Sequence, residues 1–280
     1  MMDSLTIKSF AKVNVGLQIR NKRSDGFHNI HTIFQELELH DTMVLGLQDS
    51  GCGFTSNVSW LHNDASNLCF KAWNRLSEYY NIGGISIDLI KNIPAGSGLG
   101  GGSSNAASVI KGLVELYKLD ISQKDLQSIA ISLGADVSFF LNGGLQQGDG
   151  IGEKLTRLPG LINGIYLLIV PDFEISTDWA YKSYKIFLDE GRDQVNFAGF
   201  LNRDIVPFEF FENDFESIVV PAYPEIGEIK KRLEAYGSRF ASLSGSGSTV
   251  YGIFDEESNA ISAESYFSSK YTTFITYPRA

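Results

Sequence analysis

Cysteine is nearly missing from this chain. Cys52 and Cys69 are its two, and they lack the Cys-x-x-Cys spacing of a metal or redox motif. They read as free thiols in a reducing compartment and cannot make a zinc site alone. Long apolar runs are missing too: the longest, Ile165 to Val170, is far too short to span a bilayer. The opening Met-Met-Asp-Ser-Leu-Thr-Ile-Lys lacks the apolar core of a signal peptide. A cytoplasmic protein with no membrane partner is therefore expected. Basic residues are in deficit, 23 Lys and Arg against 33 Asp and Glu, for a net charge of −10 and a pI near 4.9. That balance argues against nucleic acid or anionic lipid as a partner. Any nucleotide must then be held by backbone N–H groups and a few placed cations. Histidine is scarce, and His31, His40 and His62 lack the spacing of a metal site, so no protein metal ligands are assigned.

Glycine, by contrast, is abundant where it matters. The 280 residues suit two modest domains or one large one, with 43% hydrophobic and 20% charged residues, ordinary for a globular protein. Within them, Ile93 to Ala107 reads Ile-Pro-Ala-Gly-Ser-Gly-Leu-Gly-Gly-Gly-Ser-Ser-Asn-Ala-Ala. Backbone without Cβ atoms can curl around an anion with its N–H groups turned inward. Behind the loop, Ala106, Val109, Ile110, Leu113, Leu116 and Tyr117 recur at helical steps, and Ser103 or Ser104 stands where an N-cap belongs. Loop, cap and helix N-terminus together predict a phosphate site. A branched residue at Gly101 is expected to block the phosphate and to clash with a positive φ.

Three known phosphate loops compete for this stretch. A P-loop needs Lys directly after its last Gly, and Ser103 is there instead. Gly96-x-Gly98-x-x-Gly101 fits the dinucleotide fingerprint after the strand-like Ile85–Ile90, but no second strand carrying an acid follows the helix. A protein-kinase glycine loop fits weakly, and no His-Arg-Asp or Asp-Phe-Gly motif accompanies it.

Elsewhere the pattern is informative in places. Ile7 to Ile19 alternates with period two and sets Lys12 and Asn14 on the less apolar face of one strand, where a solvated lysine or a functional one would both fit. Asp25-Gly26 signals a hairpin. Ser66 to Tyr79 is an amphipathic helix with a serine start, and Ser122-x-x-Asp125 is a capping box for a second helix that Gly134 ends. Asp136 follows at once, wedged between apolar residues, as either a turn carboxylate or a functional acid. The glycine-rich strand pair 143–152 is the candidate junction between domains. Pro224 starts a further helix closed by Gly237, and Ser242 to Tyr251 is a small-residue turn between strands.

Pro94-Ala-Gly-Ser-Gly-Leu-Gly-Gly-Gly-Ser-Ser104 resembles the ATP-binding loop of the GHMP small-molecule kinases, and the triple glycine with Ser-Ser-Asn-Ala-Ala resembles one branch above the rest. That branch acts on an alcohol bearing a cytidine diphosphate moiety. The resemblance implies a two-domain α+β fold, with an N-terminal domain like domain 2 of ribosomal protein S5 (residues 1–152) and a ferredoxin-like C-terminal domain (residues 153–280). It implies ATP as phosphoryl donor, held by Pro94, Ala95, Gly96, Ser97, Gly98, Leu99, Gly100, Gly101, Gly102, Ser103 and Ser104, with Asn67 near the adenine. Mg²⁺ is expected with ATP, without assignable protein ligands beyond a possible Ser103 or Ser104. Phe10-Ala-Lys-Val-Asn-Val-Gly-Leu and Gly-Ala-Asp-Val-x-Phe-Phe-Leu match the family motifs that carry the phosphate-side lysine and the catalytic base, so Lys12 and Asp136 are implied as catalytic. Asn14, His28, Thr177, Tyr181, Gly245 and Gly247 are implied as substrate contacts, His28 and Tyr181 at the cytosine. Phe27 and Ser138 stand where the family usually has Tyr and Pro. A GHMP kinase for another alcohol, such as mevalonate or homoserine, a non-catalytic relative, and a dinucleotide oxidoreductase are the competing readings. The sequence leaves oligomeric state open.

Overall fold

The computed structural model describes residues 4–62, 64–184, 195–201 and 206–280. The chain forms two compact units that do not follow a single cut: residues 1–11, 39–95 and 100–142 make one, and residues 12–38, 96–99 and 143–280 the other. The long strands β1 (Ser4–Lys22) and β2 (His28–Gln48) contribute to both. Between them Gly26 N–H donates to Arg23 O and Arg23 N–H to Phe27 O, the tight turn that Asp25-Gly26 predicts.

In the first unit, β3 (Cys52–Ser56) runs parallel to β4 (Gly84–Ile90), and β4 pairs antiparallel with the second half of β2, from Thr42↔Ile90 to Gln48↔Gly84. The helices α1 (Leu68–Tyr79), α2 (Gly101–Leu116), α3 (Gln123–Leu133) and α4 (Ala135–Asn142) pack on one another, α2 against each of the others. Between Ser104 and Leu113 only Lys111 of α2 is exposed, so this helix is buried nearly all round. A Cβ on Gly112 would lie 2.1 Å from Leu45 Cδ1, which shows how closely the helix backbone approaches β2. The polar pair in this core is satisfied internally, Ser9 Oγ donating to Ser108 Oγ at 2.8 Å.

Caps set where these helices begin, and two differ from expectation. Asn67, not Ser66, caps α1, its Oδ1 accepting from Cys69 N–H at 2.9 Å. At α2 the cap is Gly100, in the left-handed conformation at φ 74°, ψ 15°, with no side-chain hydrogen bond. Ser103 and Ser104 already lie in the first turn, because a glycine free of Cβ can turn the chain into the helix directly. The Ser122 cap of α3 is as expected, its Oγ accepting from Asp125 N–H.

In the second unit the first half of β2 pairs with β5 (Leu145–Gly150), and β5 with β6 (Lys154–Arg157), both antiparallel. The expected junction after residue 152 falls between these two strands. The chain continues through β7 (Ile165–Val170), α5 (Thr177–Ser183), α6 (Phe197–Leu201), α7 (Glu216–Ala222), α8 (Pro224–Ala235), β8 (Phe240–Leu243), β9 (Val250–Phe254), α9 (Glu257–Phe267) and β10 (Thr272–Thr276). Its sheet has the order β10-β7-β9-β8 with every pair antiparallel, and α8 and α9 pack on it. Numbered within the sheet this is 4-1-3-2, the split βαββαβ arrangement of a ferredoxin-like domain. Its core gathers Leu167, Ile169, Ile229, Leu233, Val250, Phe254 and Phe267. Each such side chain contributes roughly 1.5–3 kcal/mol by leaving water. Of the aromatic-rich stretch 186–215, residues 186–194 and 202–205 lie outside the described residues.

Candidate active site

The strand that carries Lys12 is buried on both faces. Ala11, Val13, Val15 and Leu17 fill one side, while Lys12 is only 3% exposed and Asn14 and Gln18 are buried on the other. A solvated strand lysine is thereby ruled out. The Lys12 ammonium donates to Asn14 Oδ1 at 2.7 Å and to Gly98 O at 3.0 Å, and it sits 5.6 Å from the centre of the Phe34 ring. A buried cation needs such partners, since desolvation alone would drive off its proton. Asn14 is fixed in turn: its Nδ2 donates to Thr32 Oγ1, and Thr32 Oγ1 donates to Gly16 O. The tyrosine hydroxyl of Tyr251 donates to Asn14 O at 2.8 Å.

The turn 244–249 closes around this group. Ser244 Oγ donates to Gly98 O at 2.9 Å, and Thr249 N–H to Ser97 O at 3.1 Å. Gly245 lies against Asn14 and Lys12, with a built Cβ 3.4 Å from Asn14 Oδ1 and 3.7 Å from Lys12 Nζ. Gly247 packs instead on Leu243 and Ile175. Thr177 Oγ1 and Ser246 Oγ share a hydrogen bond of 2.9 Å, tying the start of α5 to the turn. Asn213 anchors the turn from below, its Nδ2 donating to Leu243 O and Gly245 O, and Glu216 accepts from Leu243 N–H. Asn213 and Glu216 thus serve as supports for this turn. Thr32, Ser244 and Tyr251 escape the sequence reading, because a single hydroxyl on an apolar strand carries no pattern.

At Gly98 (φ 82°) a Cβ would come within 2.1 Å of Ser244 O, so only glycine fits. Gly101 differs from expectation: it is helical, and what excludes a side chain there is Ile93 Cγ2 and Lys91 Nζ, each 2.9 Å from a built Cβ. Gly101, Gly102 and Ser103 open α2, where backbone N–H groups have no carbonyl one turn back, and no side chain caps them. Such an end holds an anion through its N–H groups and the helix dipole, worth about 0.3–1 kcal/mol, up to about 2 if partly buried. Leu68 lies 3.6 Å from a built Cβ on Gly102, which puts the start of α1 beside the start of α2. Asn67 itself is buried, with its amide committed to Cys69 N–H and, through Nδ2, to His62 O, so its place is that of a cap.

Asp136 lies in the first turn of α4, among the buried Val137, Ser138, Phe139 and Phe140. A carboxylate there faces the positive end of the helix dipole. Ser138 Oγ donates to Ala135 O at 2.7 Å, so the hydroxyl returns to the first turn and the helix start is kept without proline. Lys12, Asn14, residues 96–99, His28, Thr177, Tyr181, Gly245 and Gly247 belong to one unit, while Asn67, Pro94, Ala95, residues 100–104 and Asp136 belong to the other.

His28 and Tyr181 stack with planes 10° apart and centroids 5.3 Å apart, and Phe215 meets Tyr181 edge-on at 4.9 Å. That separation is an offset stack. The edge of His28 therefore lies in the layer that a base stacked on the rest of Tyr181 would occupy. Burial lowers the pKa of His28, with Lys22 adding to the shift, which favours the uncharged ring. Phe27 is 59% exposed. His31 is structural, buried against Phe197 and paired with Asp149. Among the described residues no three acidic, histidine or cysteine side chains converge.

Two family descriptions match the chain, "GHMP kinases N terminal domain" over residues 67–144 and "GHMP kinases C terminal" over residues 200–273. A curated relative from Chlorobium phaeobacteroides (strain BS1), named 4-diphosphocytidyl-2-C-methyl-D-erythritol kinase, is 40% identical over 99% of this chain and 98% of its own. A solved 4-(cytidine 5'-diphospho)-2C-methyl-D-erythritol kinase superposes with a TM-score of 0.85 at 30% identity, covering 99% of this chain and all of the other (100%). A homoserine kinase from Cytophaga hutchinsonii superposes at 0.71 with 19% identity over 100% of this chain and 96% of its own, which is a likeness of fold alone.

Proposed function

The chain belongs to the 4-diphosphocytidyl-2-C-methyl-D-erythritol kinase family of GHMP kinases, and we propose that it phosphorylates the 2-hydroxyl of that alcohol with ATP, in the non-mevalonate route to isoprenoids. The bond formed joins the 2-oxygen to the γ-phosphorus, the β–γ bridge breaks to release ADP, and the hydroxyl proton must go to a base. Such a transfer needs positioning and charge neutralisation more than covalent help. The observation that carries the reading is the buried Lys12, held by Asn14 and Gly98 beside the glycine turn at 245. A lysine desolvated and doubly anchored is placed to offset negative charge on a transferred phosphoryl group.

Asp136 accepts the hydroxyl proton. Residues 94–104 hold the triphosphate, chiefly through the N–H groups that open α2, and the edge of α1 at Asn67 borders the adenine. Mg²⁺ bound with ATP would supply charge neutralisation at the phosphates, and Ser103 or Ser104 would offer it at most a hydroxyl. Thr177, Gly245 and Gly247 border the alcohol and diphosphate, and His28 and Tyr181 take the cytosine. No helix among the described residues is long and apolar enough to cross a membrane, and a cytoplasmic enzyme without nucleic-acid partners fits the net charge of −10.

Calorimetric titration of the ATP-loaded protein with CDP and UDP tests the substrate class. Cytosine and uracil differ in the 4-amino donor and N3 acceptor, and one unmet buried hydrogen bond costs about 1–3 kcal/mol. UDP should bind at least about tenfold more weakly. His28→Ala should erode that preference, and Tyr181→Ala should weaken both ligands alike. Equal uptake of CDP and UDP by the wild type would sink the diphosphocytidyl assignment and leave a GHMP kinase for another alcohol.

A further inference from the structure

One buried charge pair belongs to none of the roles above. The side chains of Lys91 and Asp41 are 5% and 0% exposed, and Lys91 Nζ donates to Asp41 Oδ2. Asn105 closes the ring, with Nδ2 on Asp41 Oδ2 at 2.9 Å and Oδ1 accepting from Lys91 Nζ at 3.3 Å. Asp41 Oδ1 accepts the N–H groups of Asn92 and Ile93 at 2.7 and 2.8 Å. Three elements thus meet at one carboxylate: β2, the segment leaving β4, and the second turn of α2. Of the pair it is the ammonium that abuts Gly101, the first residue of α2, at 2.9 Å from a built Cβ.

Stability gives no sufficient reason for such a pair. Replacing a buried ion pair with neutral groups of similar shape is often neutral or stabilising, because both charges must be desolvated. Position does give one. The ammonium lies against the first residue of α2, and at that end of a helix the dipole provides about half a positive charge.

We propose that Lys91 is a positioning residue for phosphate binding, which with Asp41 and Asn105 locks the entry of the glycine loop onto α2 and adds its charge to the N-terminal end of that helix. This rests on the ATP reading of the same loop. An oriented charge at that site favours nucleotides in proportion to their phosphates, whereas a merely structural pair affects every nucleotide alike or none.

The test is titration of ATP and AMP into the wild type, Lys91→Met and the double variant Lys91→Met/Asp41→Asn, with thermal melts of each. The double variant keeps an acceptor for Asn92 and Ile93 and leaves no unpaired charge. Lys91→Met alone strands the Asp41 carboxylate, so the double variant decides if the single one fails to fold. ATP affinity should fall about tenfold in the double variant, with AMP changed less than about twofold and folding retained. Unchanged ATP affinity would overturn the proposal, as would equal losses for ATP and AMP. Failure of the double variant to fold would also overturn it, marking the pair as structural. A wild type that binds no ATP would remove the nucleotide reading, and the proposal with it.

Discussion

The two glycine-rich turns of this protein are built in opposite ways. The stretch 94–104 shapes itself: alternate glycines at 96, 98 and 100 hold φ of 61°, 82° and 74°, and the chain runs straight into a helix whose opening N–H groups have no side-chain cap. The turn 244–249 is shaped from outside. Asn213 and Glu216 hold its entry, Ser244 and Thr249 tie it to residues 97 and 98, and Thr177 meets Ser246. The first kind of site is written locally, and the second only in residues far away along the chain.

Gly98, where the two turns touch, should be the most sensitive position. Gly98→Ala combines a positive φ, worth about 1 kcal/mol or more, with a Cβ driven to 2.1 Å from Ser244 O. Loss of turnover by at least about 10²-fold is expected. Gly26→Ala is the control, since its φ is 90° but nothing lies within 4 Å of a Cβ. Equal effects of the two substitutions would show that backbone strain alone, not the contact between turns, is at work.

Next come the two ionisable side chains. Asp136→Asn should leave the fold intact and lower turnover by about 10²–10⁴, the range for loss of a general base. Lys12→Met should lower turnover comparably but, unlike an exposed lysine, should also lower the melting temperature, because Asn14 Oδ1 and Gly98 O lose a donor. Near-normal turnover in either variant, measured by coupled ADP release, would remove that residue from the mechanism.

The same contrast explains how much could be read in advance. The loop, its helix, the Ser122 cap and the hairpin at 25–26 each depend on local patterns. The identity of Lys12 as a buried residue did not follow from its strand, because period-two alternation marks a less apolar face without saying whether water reaches it. Here Tyr251, Thr32 and the turn at 245 cover that face. The cap of α2 differs from the expected Ser103 or Ser104 for a related reason: serine is the common cap, but Gly100 reaches a left-handed φ that ends the loop three or four residues sooner. Lys91 carries no signal of its own along the chain, and only the spatial approach of Asp41 and Asn105 distinguishes it.

Asn213→Ala should produce a smaller effect that isolates the second turn. Two carbonyls, Leu243 O and Gly245 O, lose their donor, at about 1–3 kcal/mol of stability for buried groups left unmet. KM for the alcohol should rise more than KM for ATP; the reverse order would mean that the turn serves the nucleotide instead.

The smallest expected effect concerns pH. The folded pKa of His28 lies below its ordinary value of 6.5. An unfolded chain therefore takes up a proton that the folded one does not in the window just under 6.5. The contribution of His28 to stability is complete above that window and falls as pH drops through it. Proton NMR titration of the ring should give a midpoint under 6.5, and CDP affinity should be flat above it. A midpoint above 6.5 would mean a charged His28 and a different reading of the cytosine edge.

The most direct measurement follows the phosphorus itself. Purified protein with ATP, Mg²⁺ and 4-diphosphocytidyl-2-C-methyl-D-erythritol should show, by phosphorus NMR, a new phosphomonoester signal growing in step with ADP. It should show none with mevalonate or homoserine in place of that alcohol. ADP release without the new monoester, or phosphorylation of either substitute instead, would contradict the account.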